Sequence, residues 1–197
     1  MSNPREYKWS DEDIIAYGEL CQWVGMCLSV FSRIEESLAV LFGTAAGIPL
    51  IETAFRTHDE IREFHYRLDA TNSVVRLWIS SLPQHQSRNT LESEWNALCR
   101  IIKEDSQDRN RLAHFRIAPN DNKDGSTTYF VCPYFQIFSH VTALQAMKGK
   151  AKIPNGVRKF DVKSLEAKLN RFESTAKRID RFIGGLTEHG AQLPKLS

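Results

Sequence analysis

Four long stretches of this chain repeat apolar residues at steps of three and four, a period that commits most of it to amphipathic helices packed side by side. The first stretch runs through Ile14, Tyr17, Cys21, Val24, Leu28, Phe31, Leu38 and Leu41, and Ser10 with Asp13 reads as its start. It predicts a helix over 11–42 that ends near Gly43. The Gly43–Arg56 segment, with Gly47 and Pro49, reads as a connector. Thr57 and Glu60 have the spacing of a capping box, and Ile61, Phe64, Leu68, Val75, Trp78 and Leu82 carry a second helix over 57–82 to Pro83. Leu91, Trp95, Leu98, Ile101 and Ile102 predict a third over 90–114, which Pro119 and the polar cluster Asn120–Gly125 must break. Asp161 caps a fourth over 161–186, where Val162, Leu165, Leu169, Phe172, Ala176, Ile179 and Phe182 share a face closed by Gly184 and Gly185.

The character changes between the third and fourth stretches, over about 115–160. Ser126–Phe138 is rich in Thr, Tyr, Phe and Val, and Phe115–Ala118 stands across the turn cluster as its pairing partner, so a β-hairpin is expected. From Ser139 to Phe160 the pattern offers one helical turn over 142–147 and a basic run of Lys148, Lys150, Lys152, Arg158 and Lys159. The expected architecture is all-α: a four-helix up-down bundle in a single domain over 1–197, with a small β-hairpin insertion before the last helix.

A length of 197 residues with 42% apolar content suffices for one core. The 26 basic side chains outnumber the 24 acidic ones by two, so any nucleic-acid binding must use a local patch. Cys21, Cys27, Cys99 and Cys132 are scattered, as expected of reduced, mostly buried thiols in a cytoplasmic protein. No apolar run approaches the roughly 18 residues of a membrane span, so no membrane association is expected. There is no G-x-S-x-G elbow, phosphate loop, dinucleotide fingerprint or H-E-x-x-H pair, so serine-hydrolase, kinase and dehydrogenase chemistry has no support.

The chemistry-bearing stretch is Asp108-Arg109-Asn110-Arg111-Leu112-Ala113-His114-Phe115, at the end of the third helix. A guanidinium stays charged and can hold a phosphate through two hydrogen bonds, while an imidazole can move the proton of a ribose 2'-hydroxyl. Five residues of continuous helix turn the chain by about 500°, so Arg109 and His114 would project roughly 140° apart. Asn110, four residues before His114, shares its face and can orient the ring. Convergence of Arg109 with His114 therefore requires unwinding of the helix end, or a second copy of the motif across a two-fold axis. The second route predicts a homodimer.

Arg109-Asn110-Arg111-Leu112-Ala113-His114, set after the third helix of such a bundle, resembles the R-x4-6-H signature of the HEPN superfamily, in which a polar residue, often Asn, follows the Arg. Phe31-Ser32-Arg33-Ile34-Glu35-Glu36-Ser37-Leu38 is similar to the acidic-apolar pattern that many such domains carry in their first helix. The resemblance implies a bundle of HEPN type and metal-independent endoribonuclease activity at a dimer interface, in toxin–antitoxin, antiviral-defence or stress systems. RNA would be cut through a 2',3'-cyclic phosphate. On this chain it implies that His114 acts as general base or acid, that Arg109 stabilises the charge of the transition state, and that Asn110 orients His114 or a phosphate. It also implies an antitoxin or other regulatory protein as partner. Some members carry a Tyr two positions after the His as a nucleotide-modification site; that position is Arg116 here. The alternative is a catalytically inactive member that dimerises, binds RNA or engages a protein.

Lys103, Arg111 and Arg116, with Arg100 and Arg109, concentrate positive charge around this helix end and are the candidate substrate-binding residues. Balanced by Glu104, Asp105 and Asp108, the same run also reads as a solvated face. Glu35 falls beside the apolar stripe and needs a cation, for which Arg109 is a candidate, with ordinary surface placement the alternative. His58 and His65 lie seven apart on the expected second helix, but Arg62 projects between them and a fixed cation opposes a bound metal. No metal or cofactor is expected.

Overall fold

Ser10 and Asp13 close a reciprocal cap at the start of α1 (Asp11–Ala45): the Asp13 N–H donates to Ser10 Oγ at 3.1 Å and the Ser10 N–H to Asp13 Oδ2 at 2.9 Å. In this computed structural model of the chain, residues 10–83, 86–121, 127–133 and 160–190 are described. Helix α1 does not stop at Gly43. It continues to Ala45 and turns at Gly47, whose φ of +68° suits a residue without a Cβ. There the Gly47 N–H donates to the Thr44 carbonyl at 3.3 Å and the Ile48 N–H to that of Gly43 at 2.9 Å, the paired bonds of a Schellman ending. Gly43 serves a different purpose: a Cβ there would overlap that of Ala54, so its bare backbone lets α2 (Ile51–Asp59) approach α1.

The expected second helix is two. Helix α2 lies in what reads from sequence as a connector, because Ala54 and His58, four apart, turn one face inward. The chain then leaves helical geometry and re-enters it as α3 (Phe64–Ser81), so Thr57 and Glu60 do not cap a helix start. Arg67 holds this break, donating from Nε to the Ile61 carbonyl at 2.8 Å and from Nη2 to that of Arg62 at 3.3 Å. Helix α4 spans Gln86–Ala113, and α5 spans Val162–Gly190 behind an Asp161 cap that accepts the Ser164 N–H at 2.8 Å. The glycine pair Gly184-Gly185 does not end α5. Phe182 and Leu186 extend the buried stripe across it, so packing overrides the weak helix preference of glycine.

Five helices account for most of the described residues, and the fold is mostly helical. Strands β1 (Phe115–Asp121) and β2 (Thr127–Pro133) pair antiparallel, in a register running from Phe115 opposite Pro133 to Asp121 opposite Thr127. Pro119 is thus part of β1 and does not terminate the third helix, which ends at Ala113. In a two-stranded ribbon both strands are edges, where a missing N–H is tolerated. The helical turn and basic run expected over 142–159 lie outside the described residues.

The chain divides into two compact units, Ser29–Arg109 with Asn170–Ser197 and Met1–Leu28 with Asn110–Leu169. In the first, buried Phe31, Ile34, Leu38 and Leu41 of α1, Leu68, Val75 and Ile79 of α3, Trp95, Leu98 and Ile102 of α4, and Phe172, Ile179 and Phe182 of α5 form the core. Trp95 stacks on Phe182 with centroids 5.4 Å apart. In the second, the hairpin is tied at two points. Tyr129 donates its hydroxyl to Asp13 Oδ1 at 2.6 Å, and Val131 exchanges both backbone hydrogen bonds with Phe160 at 2.9 Å. The Cys27 thiol donates to the Leu165 carbonyl at 3.4 Å.

By length and composition α1 is apolar enough to cross a membrane, a correction to the expectation that no stretch approaches that size. Counting unbroken apolar runs misses it, because isolated polar residues such as Glu19 and Gln22 interrupt the run without lowering the average enough.

Candidate functional site

Helix α4 places the Arg and His motif in its last turns. Leu112 is buried and anchors that end, leaving Ala113 and His114 exposed. The His114 N–H still donates to the Asn110 carbonyl at 3.2 Å, so helical hydrogen bonding persists to the end of the motif. The unwinding that would have brought Arg109 round to His114 within one chain does not occur. Asn110 is exposed and Arg111 half-buried, and Arg116 stands on β1 opposite Cys132.

Arg109 closes the first unit. Its guanidinium carbon lies 5.8 Å from the centroid of the Phe31 ring, and that ring is itself flanked by Phe64 at 5.3 Å and Phe172 at 5.4 Å. A cation over an aromatic face gains about 0.5–2 kcal/mol, so the half-buried guanidinium is held over the Phe31 ring, which two further rings buttress. Glu35 is not its partner. The Glu35 carboxylate lies 3.9 Å from Arg67, which also reaches Asp59 at 3.8 Å.

One turn before Arg109, Asp105 is fully buried on the stripe of Leu98 and Ile102, and it pairs with Arg171 Nε and accepts the Thr175 hydroxyl at 2.7 Å. Arg171 also donates to Glu104 at 2.8 Å, and these contacts, Glu104 first and then Asp105, hold its guanidinium above the ordinary arginine range. The reading of Asp105 and Asp108 as part of a solvated face is corrected here, since both are buried; the available signal was that Asp105 sits three residues beyond Ile102 on the inward stripe.

Lys103 is exposed, 4.0 Å from Asp69, and with Arg76 and Arg100 it lines an open groove of about 330 Å³ between α3 and α4. Arg76 was missed in the sequence, as were Asn72 and Asn96, which fix it. Its Nε donates to Asn72 Oδ1 at 3.0 Å and its Nη2 to Asn96 Oδ1 at 2.6 Å. Asn72 Oδ1 also accepts the Trp95 indole N–H at 3.0 Å and the Cys99 thiol at 3.8 Å. Burial pushes the Cys99 thiol up to about 12 and that of Cys27 up to about 11, so both stay protonated.

His58 and His65 do not share a helix. His58 is buried in α2 at 1% exposure, with Nε2 3.4 Å from the Thr71 hydroxyl, while His65 lies in α3, 3.3 Å from Glu63. Among the described residues no cluster of three or more His, Cys, Asp or Glu side chains is placed to hold a metal ion. The chain matches no family model, no curated protein and no solved structure.

Proposed function

We propose that this chain is a metal-independent endoribonuclease of HEPN type, with its helices arranged as an up-down four-helix bundle and its site completed by a second copy. The observation that carries the proposal is the end of α4, where Asn110 and His114 are both exposed four residues apart while Arg109 is held half-buried over Phe31. Because helical hydrogen bonding continues up to the His114 N–H, the guanidinium that meets His114 comes from the partner of a two-fold pair. His114 takes the 2'-hydroxyl proton or supplies one to the leaving oxygen. Arg109 neutralises charge that builds on the non-bridging phosphate oxygens, and Asn110 orients the imidazole. Lys103, Arg111 and Arg116 bind the backbone phosphates. A toxin or defence role in the cytoplasm, restrained by an antitoxin or other regulatory protein, is the setting that such chemistry implies.

The test is cleavage of RNA in excess EDTA by wild type, Arg109→Ala and His114→Ala, with the products analysed for a 2',3'-cyclic phosphate. Each single variant is expected to be inactive. A co-expressed dimer of the two regains one complete site, and so about half of the activity. Equal cleavage by His114→Ala, or no cleavage by wild type under any condition, overturns the proposal. A second reading, a catalytically silent module that binds RNA or a protein partner, is favoured if sedimentation finds only a 22.6 kDa monomer.

A further inference from the structure

The groove between α3 and α4 carries more positive charge than its surroundings neutralise, and the cause lies in how its hydrogen bonds are made. A surface arginine is ordinarily tethered by a carboxylate, which holds it in place and cancels its charge. Arg76 is tethered instead by two amide oxygens, those of Asn72 at 3.0 Å and Asn96 at 2.6 Å. Both acceptors are neutral, so the guanidinium is fixed in position while keeping its full charge and part of its fork of donors for another group. Arg100, exposed on α4, forms no ion pair among the described residues.

The acidic groups nearby do not close the groove. Glu104 lines the groove but is paired with Arg171 at 2.8 Å, and Asp69 stands 4.0 Å from Lys103 with both side chains more than half exposed, an ion pair worth little in water. Cys99, protonated at neutral pH, adds no negative charge. Three cations thus converge on a hollow of about 330 Å³, at the small end of ligand-site volumes of about 300–1,000 Å³ and suited to a single nucleotide unit at a time.

From this geometry we infer that the α3–α4 groove is a phosphate-binding track for a single nucleic-acid strand, with Arg76 and Arg100 as its principal phosphate ligands. The inference deepens the nuclease proposal by naming where the strand runs outside the Arg109 and His114 motif. Its test is independent of cleavage. A short fluorescein-labelled 2'-O-methyl RNA has no free 2'-hydroxyl to attack its phosphate, so fluorescence anisotropy reads binding alone. Arg76→Gln/Arg100→Gln is expected to weaken binding about tenfold at moderate salt and to flatten the plot of log affinity against log salt by about 0.7 for each phosphate that is no longer neutralised. Arg100→Lys, which keeps the charge, is expected to retain most of the affinity, and circular dichroism checks that the double variant is folded.

If the double variant binds with unchanged affinity and salt slope, the inference is overturned. It is also overturned if adenosine monophosphate occupies the groove tightly while the strand does not bind, since the groove is then a mononucleotide site. Loss of strand binding in the double variant, beside a wild type that never cuts RNA, leaves this inference standing and removes only the nuclease proposal.

Discussion

Removing Arg171 tests whether the buried Asp105 carboxylate depends on it. Asp105 is at 0% exposure, is ion-paired with Arg171 Nε and accepts the Thr175 hydroxyl at 2.7 Å, and Arg171 itself is 37% exposed. Breaking a fully buried ion pair by deleting one partner costs about 3–5 kcal/mol, because the remaining charge is stranded. Here water reaches the guanidinium side and Thr175 still donates, so Arg171→Met is expected to cost about 2–3 kcal/mol. At about 2–4 °C per kcal/mol for a chain of this size, Tm should fall by about 4–12 °C. Asp105→Asn, which removes the charge and leaves Arg171 paired to Glu104, should cost about 1–2 kcal/mol. Because either change alone already breaks the ion pair, the double variant should be destabilised by about 1–2 kcal/mol less than the two singles combined. Urea unfolding followed by circular dichroism measures all four proteins. Additivity within about 0.5 kcal/mol, or a stable Arg171→Met, would refute the coupling.

Three further perturbations follow from packing within the same unit. Gly43→Ala is expected to destabilise by about 1–3 kcal/mol through overlap with Ala54, and Ala54→Gly in the same protein should recover part of the loss in thermal melts. Phe31→Leu keeps the core apolar but removes the platform under Arg109; it should cost about 1–2 kcal/mol and reduce cleavage further than Leu98→Val, a core change of similar cost made elsewhere in α4. Burial first, and Arg67 second, lower the pKa of His58 below its ordinary 6.5. A histidine with a depressed folded pKa contributes stability that is complete above 6.5 and is lost as pH falls toward the folded value. His58→Gln should therefore flatten the decline of the urea midpoint below pH 6.5, and an unchanged slope would show that other groups cause it.

The helices α1, α4 and α5 were legible because their periodicity and caps, Ser10 with Asp13 and Asp161, are local properties of the chain. What was not legible depended on tertiary structure. The break between α2 and α3 contains neither Gly nor Pro; it is held by Arg67, whose reach to two carbonyls leaves no mark in a hydropathy pattern. Gly43 and the Gly184-Gly185 pair look like stops, but the first is a point of close approach and the second lies beneath a stripe that continues to Leu186. At the candidate site the order of Arg109, Asn110 and His114 was readable, and so was the choice between unwinding and a second copy. That helical hydrogen bonding reaches His114 was not, since Pro119 pointed to a broken helix end, whereas α4 ends at Ala113 and Pro119 lies within β1. The Asn72 contact of Arg76 has ordinary i,i+4 helix spacing, but the contact from Asn96, twenty residues on in the next helix, is invisible to any local pattern.

Asn72 gathers an indole, a guanidinium and a thiol onto one oxygen, and this restricts what can occupy position 72. An aliphatic residue of similar size would leave the Trp95 ring nitrogen orphaned in the interior, and an aspartate would satisfy the donors while cancelling the positive charge of its neighbour. Only a side chain that accepts without carrying charge meets both demands, so the interior of the protein and the electrostatics of its surface are governed by the same amide.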